Sequence, residues 1–373
     1  MALLPDNDLD DLDDQTREIC PAPFPWFGGK RKVAVAVWTR FGVVRNYVEP
    51  FFGSGAVLFG RPGGAMGTET INDLDGYVAN FWRSVQASPA ATAMWADQPV
   101  NENDLHARHV WLLQHRDTLR PSLEGDPEWH DPKIAGWWVW GVSSWIGSGF
   151  CSGRGPWQVD DHRQLVHLGN GQGVHRQLVH LGDNGRGVHR KLVHLGNNGR
   201  GVHRQLVHLG DNGQGEPGRL DAWFTALAAR LRRVRVCSGD WSRVCGPSVT
   251  SKHGMTAVFL DPPYADTADR AGQLYREDCP QVAHAVRAWA IANGDNPLLR
   301  IALCGYEGEH QMPSSWEVLE WSAGEGFGGQ AAERSKNGDR ERIWFSPACL
   351  SMPEGRQLSF FDAADGEVMH GRV

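Results

Sequence analysis

Ala257-Val258-Phe259-Leu260-Asp261-Pro262-Pro263-Tyr264 is the stretch from which the rest of the chain can be read. Its apolar run reads as a buried strand, and the two prolines after the acid cannot supply ladder donors, so the strand must stop there. In an open α/β sheet, ligands bind at the carboxyl edge of the strands. This strand delivers a carboxylate, two backbone carbonyls and an aromatic ring to that edge. The set suits a flat heterocycle bearing an amine. Such an amine is a poor nucleophile because its lone pair is delocalised into the ring. Acceptors on its two hydrogens, here the Asp261 carboxylate and the Pro262 carbonyl, favour a pyramidal nitrogen with the lone pair free, while Tyr264 stacks on the base. A proline-rich turn with a solvated Asp is the alternative meaning of these four residues taken alone.

Upstream, Asn46-Tyr-Val-Glu49-Pro50-Phe-Phe52-Gly53-Ser54-Gly55-Ala56-Val57-Leu58-Phe59 reads as a short strand, a glycine turn and a helix opening. Glycines there let a ligand approach the backbone, and a helix start offers N–H groups to a polar ligand. About eighteen residues beyond Gly55, Glu69-Thr-Ile-Asn72-Asp73 places an acid at the end of a second strand, as nucleoside-binding βαβ units do for a ribose. The GxxxxGK[ST] pattern is missing, so the turn suggests a nucleoside cofactor without a polyphosphate cradle. Before it, Cys20-Pro-Ala-Pro-Phe-Pro-Trp26-Phe27-Gly28-Gly29-Lys30 is an extended approach to a glycine turn, with Lys30 near the start of a helix running to Phe41.

Taken in order, Trp26-Phe-Gly-Gly-Lys30, Glu49-Pro-Phe-Phe-Gly-Ser-Gly55, Asn72-Asp73 and Asp261-Pro-Pro-Tyr264 resemble the motifs of the Dam-type DNA adenine-N6 methyltransferases. The resemblance spans about 240 residues. It implies an α/β, Rossmann-like S-adenosylmethionine-dependent methyltransferase fold with an inserted helical and β-repeat target-recognition region. It also implies S-adenosylmethionine as methyl donor and double-stranded DNA as substrate. Carried over, Asp261, Pro262, Pro263 and Tyr264 are catalytic. Trp26, Lys30, Phe52, Gly53, Gly55 and Asp73 bind the cofactor, and Asp240, in Val236-Cys-Ser-Gly-Asp240-Trp241, is similar to the family's acid at the cofactor's adenine ring. Phe27 stands where many members have Ala. Cytosine N4, RNA adenine or a protein amide remain open as substrates on the same fold, as does a non-catalytic DNA-binding or clamp-associated module.

Between the motifs, Phe81 to Leu123 has helical periodicity broken by Pro89, Pro99 and Pro121, and Ile134 to Ile146 is an apolar helix whose Trp137, Trp138, Trp140 and Trp145 read as packing. His106, His109 and His115 read as surface or satisfied core residues, and no metal site is expected. From His162 a repeat recurs at His175, His189 and His203, each copy pairing β-compatible residues with a glycine-rich turn. Residues 151 to 219 hold nine Arg or Lys, eight His and five acids. One reading is an insertion that touches phosphates through Arg176, Arg190, Lys191 and Arg204. The other is an expanded loop with no direct role on DNA.

Leu220 to Leu231 forms an amphipathic helix leading to the strand Val234–Cys237, and residues 281–291, 297–304, 314–321 and 340–346 read as helix, strand, strand and final strand. Lys336 and Asn337 match a loop that lies near DNA in the family. Gln357-Leu358-Ser359-Phe360-Phe361 resembles the peptide that docks bacterial sliding clamps, with Phe360 in place of the usual Leu. The expected division is an acidic tail over 1–20, a catalytic domain over 21–85 and 220–350, a target-recognition insertion over 86–219 with repeats at 162–215, and a flexible tail over 351–373.

Composition fits this reading. The net charge of -7 is concentrated in residues 1 to 20, where seven acids meet only Arg17. Such a run reads as a solvated tail. The seven scattered Cys contain no CxxC pair and suggest neither a disulfide framework nor a zinc site. There is no 18-residue apolar run. A monomer in the cytoplasm of a bacterium or encoded by a phage, with no membrane partner, is the expectation.

Overall fold

The computed structural model describes residues 23–24, 30, 33–145, 150–151, 157–159, 165–167, 219–264, 280–321 and 341–351. Nine strands fall within them: β1 Asn46–Glu49, β2 Thr68–Asp73, β3 Trp157–Val159, β4 Leu165–His167, β5 Val234–Ser238, β6 Thr256–Leu260, β7 Leu299–Tyr306, β8 Glu317–Glu320 and β9 Glu341–Phe345. Strands β3 and β4 pair with each other, antiparallel, and the other seven form one sheet in the order β5-β2-β1-β6-β7-β9-β8. The first five of these are parallel, and β9 runs antiparallel to β7 and β8.

The sheet is central because its strands are apolar on both faces, as parallel sheets require. Tyr47, Ala257, Phe259, Ala302, Cys304, Ile343 and Phe345 lie in one core cluster, and their strand neighbours Val48, Val258, Leu260, Ile301, Leu303 and Trp344 lie in the other. Helices α1 Ala34–Phe41, α2 Ala56–Phe59, α3 Gly76–Ala87, α4 Pro89–Ala96, α5 Glu102–Gly125, α6 Pro132–Ser144 and α7 Arg219–Leu231 contribute to the first cluster. Helix α8 Pro280–Asn293 contributes Val286 and Ala290 to the second.

The chain builds outward from β1 through β2 to β5, then returns to the far side of β1 as β6. The order therefore reverses between β1 and β6, which is where open α/β sheets bind ligands. Glu49 and Leu260 close those two strands on the same edge, so the reversal opens directly beside Asp261.

Local chemistry sets the helix boundaries. Asp75, Asn101 and Asp131 accept from backbone N–H groups at the starts of α3, α5 and α6, and Pro89 and Pro132 occupy first-turn positions where no N–H is needed. Pro121 was expected to break the helical stretch, but α5 continues through it to Gly125. The interruption costs about 3 kcal/mol. Opposing it, Leu119 and Leu123 are buried on either side, and Arg83 Nη1 donates to the Leu123 carbonyl at 2.9 Å. Trp138 and Trp140 are packing residues: Trp138 stacks on Tyr77, and Trp140 Nε1 donates to the Gln98 carbonyl.

His109 is enclosed by Trp145 and Phe150, and a ring nitrogen accepts from the Cys151 N–H. Burial pulls its pKa from the usual 6.5 down to about 4, with His106 adding repulsion, and burial does the same to His310. Both are neutral in the fold, whereas the unfolded chain takes up protons near pH 6.5. Their contribution to stability is therefore complete above that pH and lost as pH falls through 4. The Tm followed by circular dichroism should decline over this range, and His109→Gln should decline less; equal slopes would contradict the assignment.

Candidate active site

Three loops meet at the carboxyl edge of β1, β2 and β5, and two adjacent residues tie them together. Asn72 Nδ2 donates to the carbonyls of Pro50 and Gly239, at 3.0 and 2.9 Å. Asp73 accepts from the Gly53 and Asp75 N–H groups, each at 2.9 Å, and its carbonyl accepts from Gly239. Trp82 Nε1 holds the Gly53 carbonyl from below. The turn needs its glycines. Gly53 and Gly55 have φ of +47° and +75°, and a Cβ on Gly55 would lie 2.5 Å from the Phe52 ring and 2.7 Å from the Phe59 ring. The helix that follows, α2, is a single turn of four residues.

Beside these loops lies a cavity that is partly open to solvent. Phe51 and Trp241 face each other on its wall, with ring centroids 6.3 Å apart and planes at 28°. Glu49, Asp73, Asp75, Asp240 and Asp261 line it, and Lys30 is the one cationic side chain among its described lining residues. Asp240 is oriented by accepting from the Ser242 backbone N–H and hydroxyl.

At the inner end, Lys30 is 3 % exposed. Its ammonium lies 3.1 Å from Asp261 Oδ2, 3.0 Å from the Tyr264 hydroxyl and 3.6 Å from Glu341 Oε2, with the Trp321 ring 5.6 Å away. The Tyr264 hydroxyl donates to Asp261 Oδ1 at 3.2 Å, and its ring meets Tyr306 edge-on at 4.5 Å. Glu49 is buried and accepts from the Tyr47 hydroxyl at 2.8 Å. Burial holds its carboxyl well above the usual range, and repulsion from Asp261 and Asp73 adds to this. Glu341 is also raised, by burial first; Lys30 opposes the shift and Asp261 adds to it.

Asp261, Pro263, Lys30, Phe52, Gly53, Asp73 and Asp240 all line this one cavity. Gly55 shapes the turn at its rim, and Pro262 and Tyr264 adjoin Asp261 in the chain. Trp26 lies outside the described residues, as do Arg176, Arg190, Lys191, Arg204, Lys336, Asn337, Gln357, Leu358, Phe360 and Phe361. Sequence reasoning did not pick out Asn72 as a loop clamp, nor Glu341, Trp321 and Tyr306. Glu49 carried a signal, as an acid ending a buried strand. Glu341 carried none, because an acid next to an arginine at a strand start is ordinary.

Residues 26–118 match the family model described as D12 class N6 adenine-specific DNA methyltransferase. Over that segment the chain is similar to the D12-class adenine methyltransferases. No curated protein matches it. The match supports site-specific methylation of adenine N6 in DNA as the activity of this chain. The matched segment contains α1 to α4, most of α5, β1, β2 and the glycine turn but ends well before Asp261. Parallel pairing of β1 with β6 brings the remainder of the site to it, with Asn46 to Val48 in register with Thr256 to Val258. Among the described residues, no helix is long and apolar enough to cross a membrane.

Proposed function

We propose that S-adenosylmethionine occupies the cavity between the glycine turn and Asp240, and that Asp261 to Tyr264 receive an adenine flipped out of duplex DNA. The observation that carries this reading is that the nucleoside-type acid Asp73 and the amine acceptor Asp261 line one cavity. The donor set fits the cofactor. Phe51 and Trp241 offer aromatic faces to an adenine ring, Asp240 an acceptor for its amine, and Asp73 a fixed acceptor for ribose hydroxyls. A wall of carboxylates suits a cationic sulfonium and opposes a polyphosphate. When bound, the cofactor supplies an electrophilic methyl group on a sulfur that leaves as a neutral thioether.

The remaining steps belong to the chain. Extruding the base costs roughly a few kcal/mol, which stacking and edge hydrogen bonds in the pocket offset; Tyr264, backed by Tyr306, provides the stacking ring. Asp261 and the Pro262 carbonyl accept from the N6 hydrogens. The nitrogen's lone pair forms the new bond to carbon, and the methylated nitrogen sheds one proton to water. Catalysis is then mainly positioning and charge placement.

Residues 21–85 and 220–350 are assigned to catalysis and 86–219 to target selection. Helices α4 to α6 share the first core cluster with α3 and α7 and form the base of that second part. Arg176, Arg190, Lys191, Arg204, Lys336 and Asn337 are assigned to phosphate contacts, which would give the positive charge that duplex binding needs. Gln357 to Phe361 is assigned to a sliding clamp; a monomeric enzyme that fails to shift on a sizing column with a bacterial clamp would remove that assignment.

Tritiated methyl transfer to unmethylated DNA, followed by nucleoside analysis, tests the function as a whole. N6-methyladenine is the expected product. N4-methylcytosine, label appearing only with RNA, or no transfer at all would each replace the reading by a named alternative.

A further inference from the structure

The reading of Asp261 as the acceptor for the adenine amine creates a conflict that the structure itself answers. Both carboxylate oxygens of Asp261 are engaged, Oδ2 by Lys30 and Oδ1 by Tyr264. An arriving N6 hydrogen can still use a remaining lone pair, but it then shares the carboxylate's charge with whichever donors stay. Lys30 is the one whose departure helps, since an ammonium left on Asp261 opposes the positive charge that reaches N6 as the methyl transfers. A cation 3 % exposed cannot leave its partner without another acceptor, because an uncompensated buried charge is strongly unfavourable.

One acceptor is in place. Glu341 Oε2 lies 3.6 Å from the Lys30 ammonium, and this oxygen is buried with no hydrogen-bond partner among the described residues. The Glu341 side chain is 7 % exposed, and Trp321, whose backbone N–H donates to the Glu341 carbonyl, places its ring beside the same ammonium. We infer that Glu341 is a positioning residue, the second seat onto which Lys30 moves when the substrate amine takes Asp261. Burial raises its pKa and Lys30 already opposes that rise from 3.6 Å, so a closer ammonium stabilises the carboxylate further.

The inference rests on the proposed role of Asp261, so its test must separate the two. DNA affinity comes mainly from backbone contacts, whereas exchange of Lys30 takes place inside the bound complex, so loss of the second seat falls on kcat. In Glu341→Gln, kcat for methyl transfer to unmethylated DNA is expected to fall about 100-fold, with the KM for DNA and the calorimetric Kd for S-adenosylmethionine within about twofold of wild type. Glu341→Asp keeps the charge and should recover about tenfold of that loss. The inference is overturned if Glu341→Gln keeps wild-type kcat, if donor Kd and Tm deteriorate in step with kcat, or if Glu341→Asp is no better than Gln. Failure of the underlying reading looks different: wild type, or Asp261→Asn beside an active wild type, then gives the unexpected result, with Asp261→Asn fully active.

Discussion

Replacing Asp261 with alanine is expected to lower methyl transfer at least about 10³-fold while leaving the affinity for S-adenosylmethionine within a few-fold of wild type. The argument is geometric. Asp261 sits just past the end of β6, at the inner end of the cavity, where it holds Lys30 and the Tyr264 hydroxyl rather than any part of the glycine turn. Its removal deletes the acceptor proposed for N6 and leaves the Asn72 and Asp73 clamps untouched. The fold should survive, since Lys30 retains Glu341 at 3.6 Å. Asp73→Ala is the contrasting variant. It releases the Gly53 and Asp75 N–H groups, frees the glycine turn, and removes the acceptor assigned to the ribose. Donor affinity should therefore fall first, by about tenfold or more. Calorimetric titration of the donor beside single-turnover methyl transfer distinguishes the two, and equal loss of binding and transfer in both variants would defeat the assignment of roles.

Glu69→Ala is expected to be the most damaging substitution to stability, at about 3–5 kcal/mol. Glu69 is 2 % exposed and accepts from Arg61 Nη1 at 2.7 Å, Arg230 Nη1 at 2.6 Å and Arg230 Nη2 at 2.9 Å. Both arginines also hold carbonyls, Arg61 those of Val44 and Met66 and Arg230 that of Leu58. The acid thus joins β2, α7 and the chain on either side of α2. Without it two guanidinium groups stay largely buried with only neutral partners, which is the costly way to break such a cluster. Urea unfolding measures the loss, and a change below about 1 kcal/mol would show that solvent reaches the arginines. Because α2 follows directly on the glycine turn, the same variant should also weaken donor binding.

The reading from sequence went furthest where one local rule acts alone. The apolar runs of β6 and β7 are bounded by turn residues or prolines and are buried on both faces, so composition and length suffice to find them. Trp138 and Trp140 were legible as packing because their helix is apolar nearly all round. Pro121 was misleading, since the rule that proline breaks a helix is local and the burial of Leu119 and Leu123 is not. The length of α2 was also hidden. A glycine turn before Ala-Val-Leu-Phe looks the same whether one turn or four follow.

The sequence by itself determined the parts of the site that are contiguous in the chain: the acid, prolines and tyrosine ending β6, the glycine turn after β1, and Asp73 at the end of β2. Each is a short-range pattern in which backbone geometry dictates residue type. Only the tertiary structure decided that Lys30, Asp261 and Glu341 share one buried cluster, since they come from an approach to the first helix, a central strand and the penultimate strand of the sheet. Their pairing is set by the strand order β1-β6-β7-β9 and by the low polarity of the space between those strands, which makes a charge seek a partner. No local pattern encodes either of these. That is why Glu341, unremarkable as a letter in the sequence, became an informative residue of the site once the sheet was assembled.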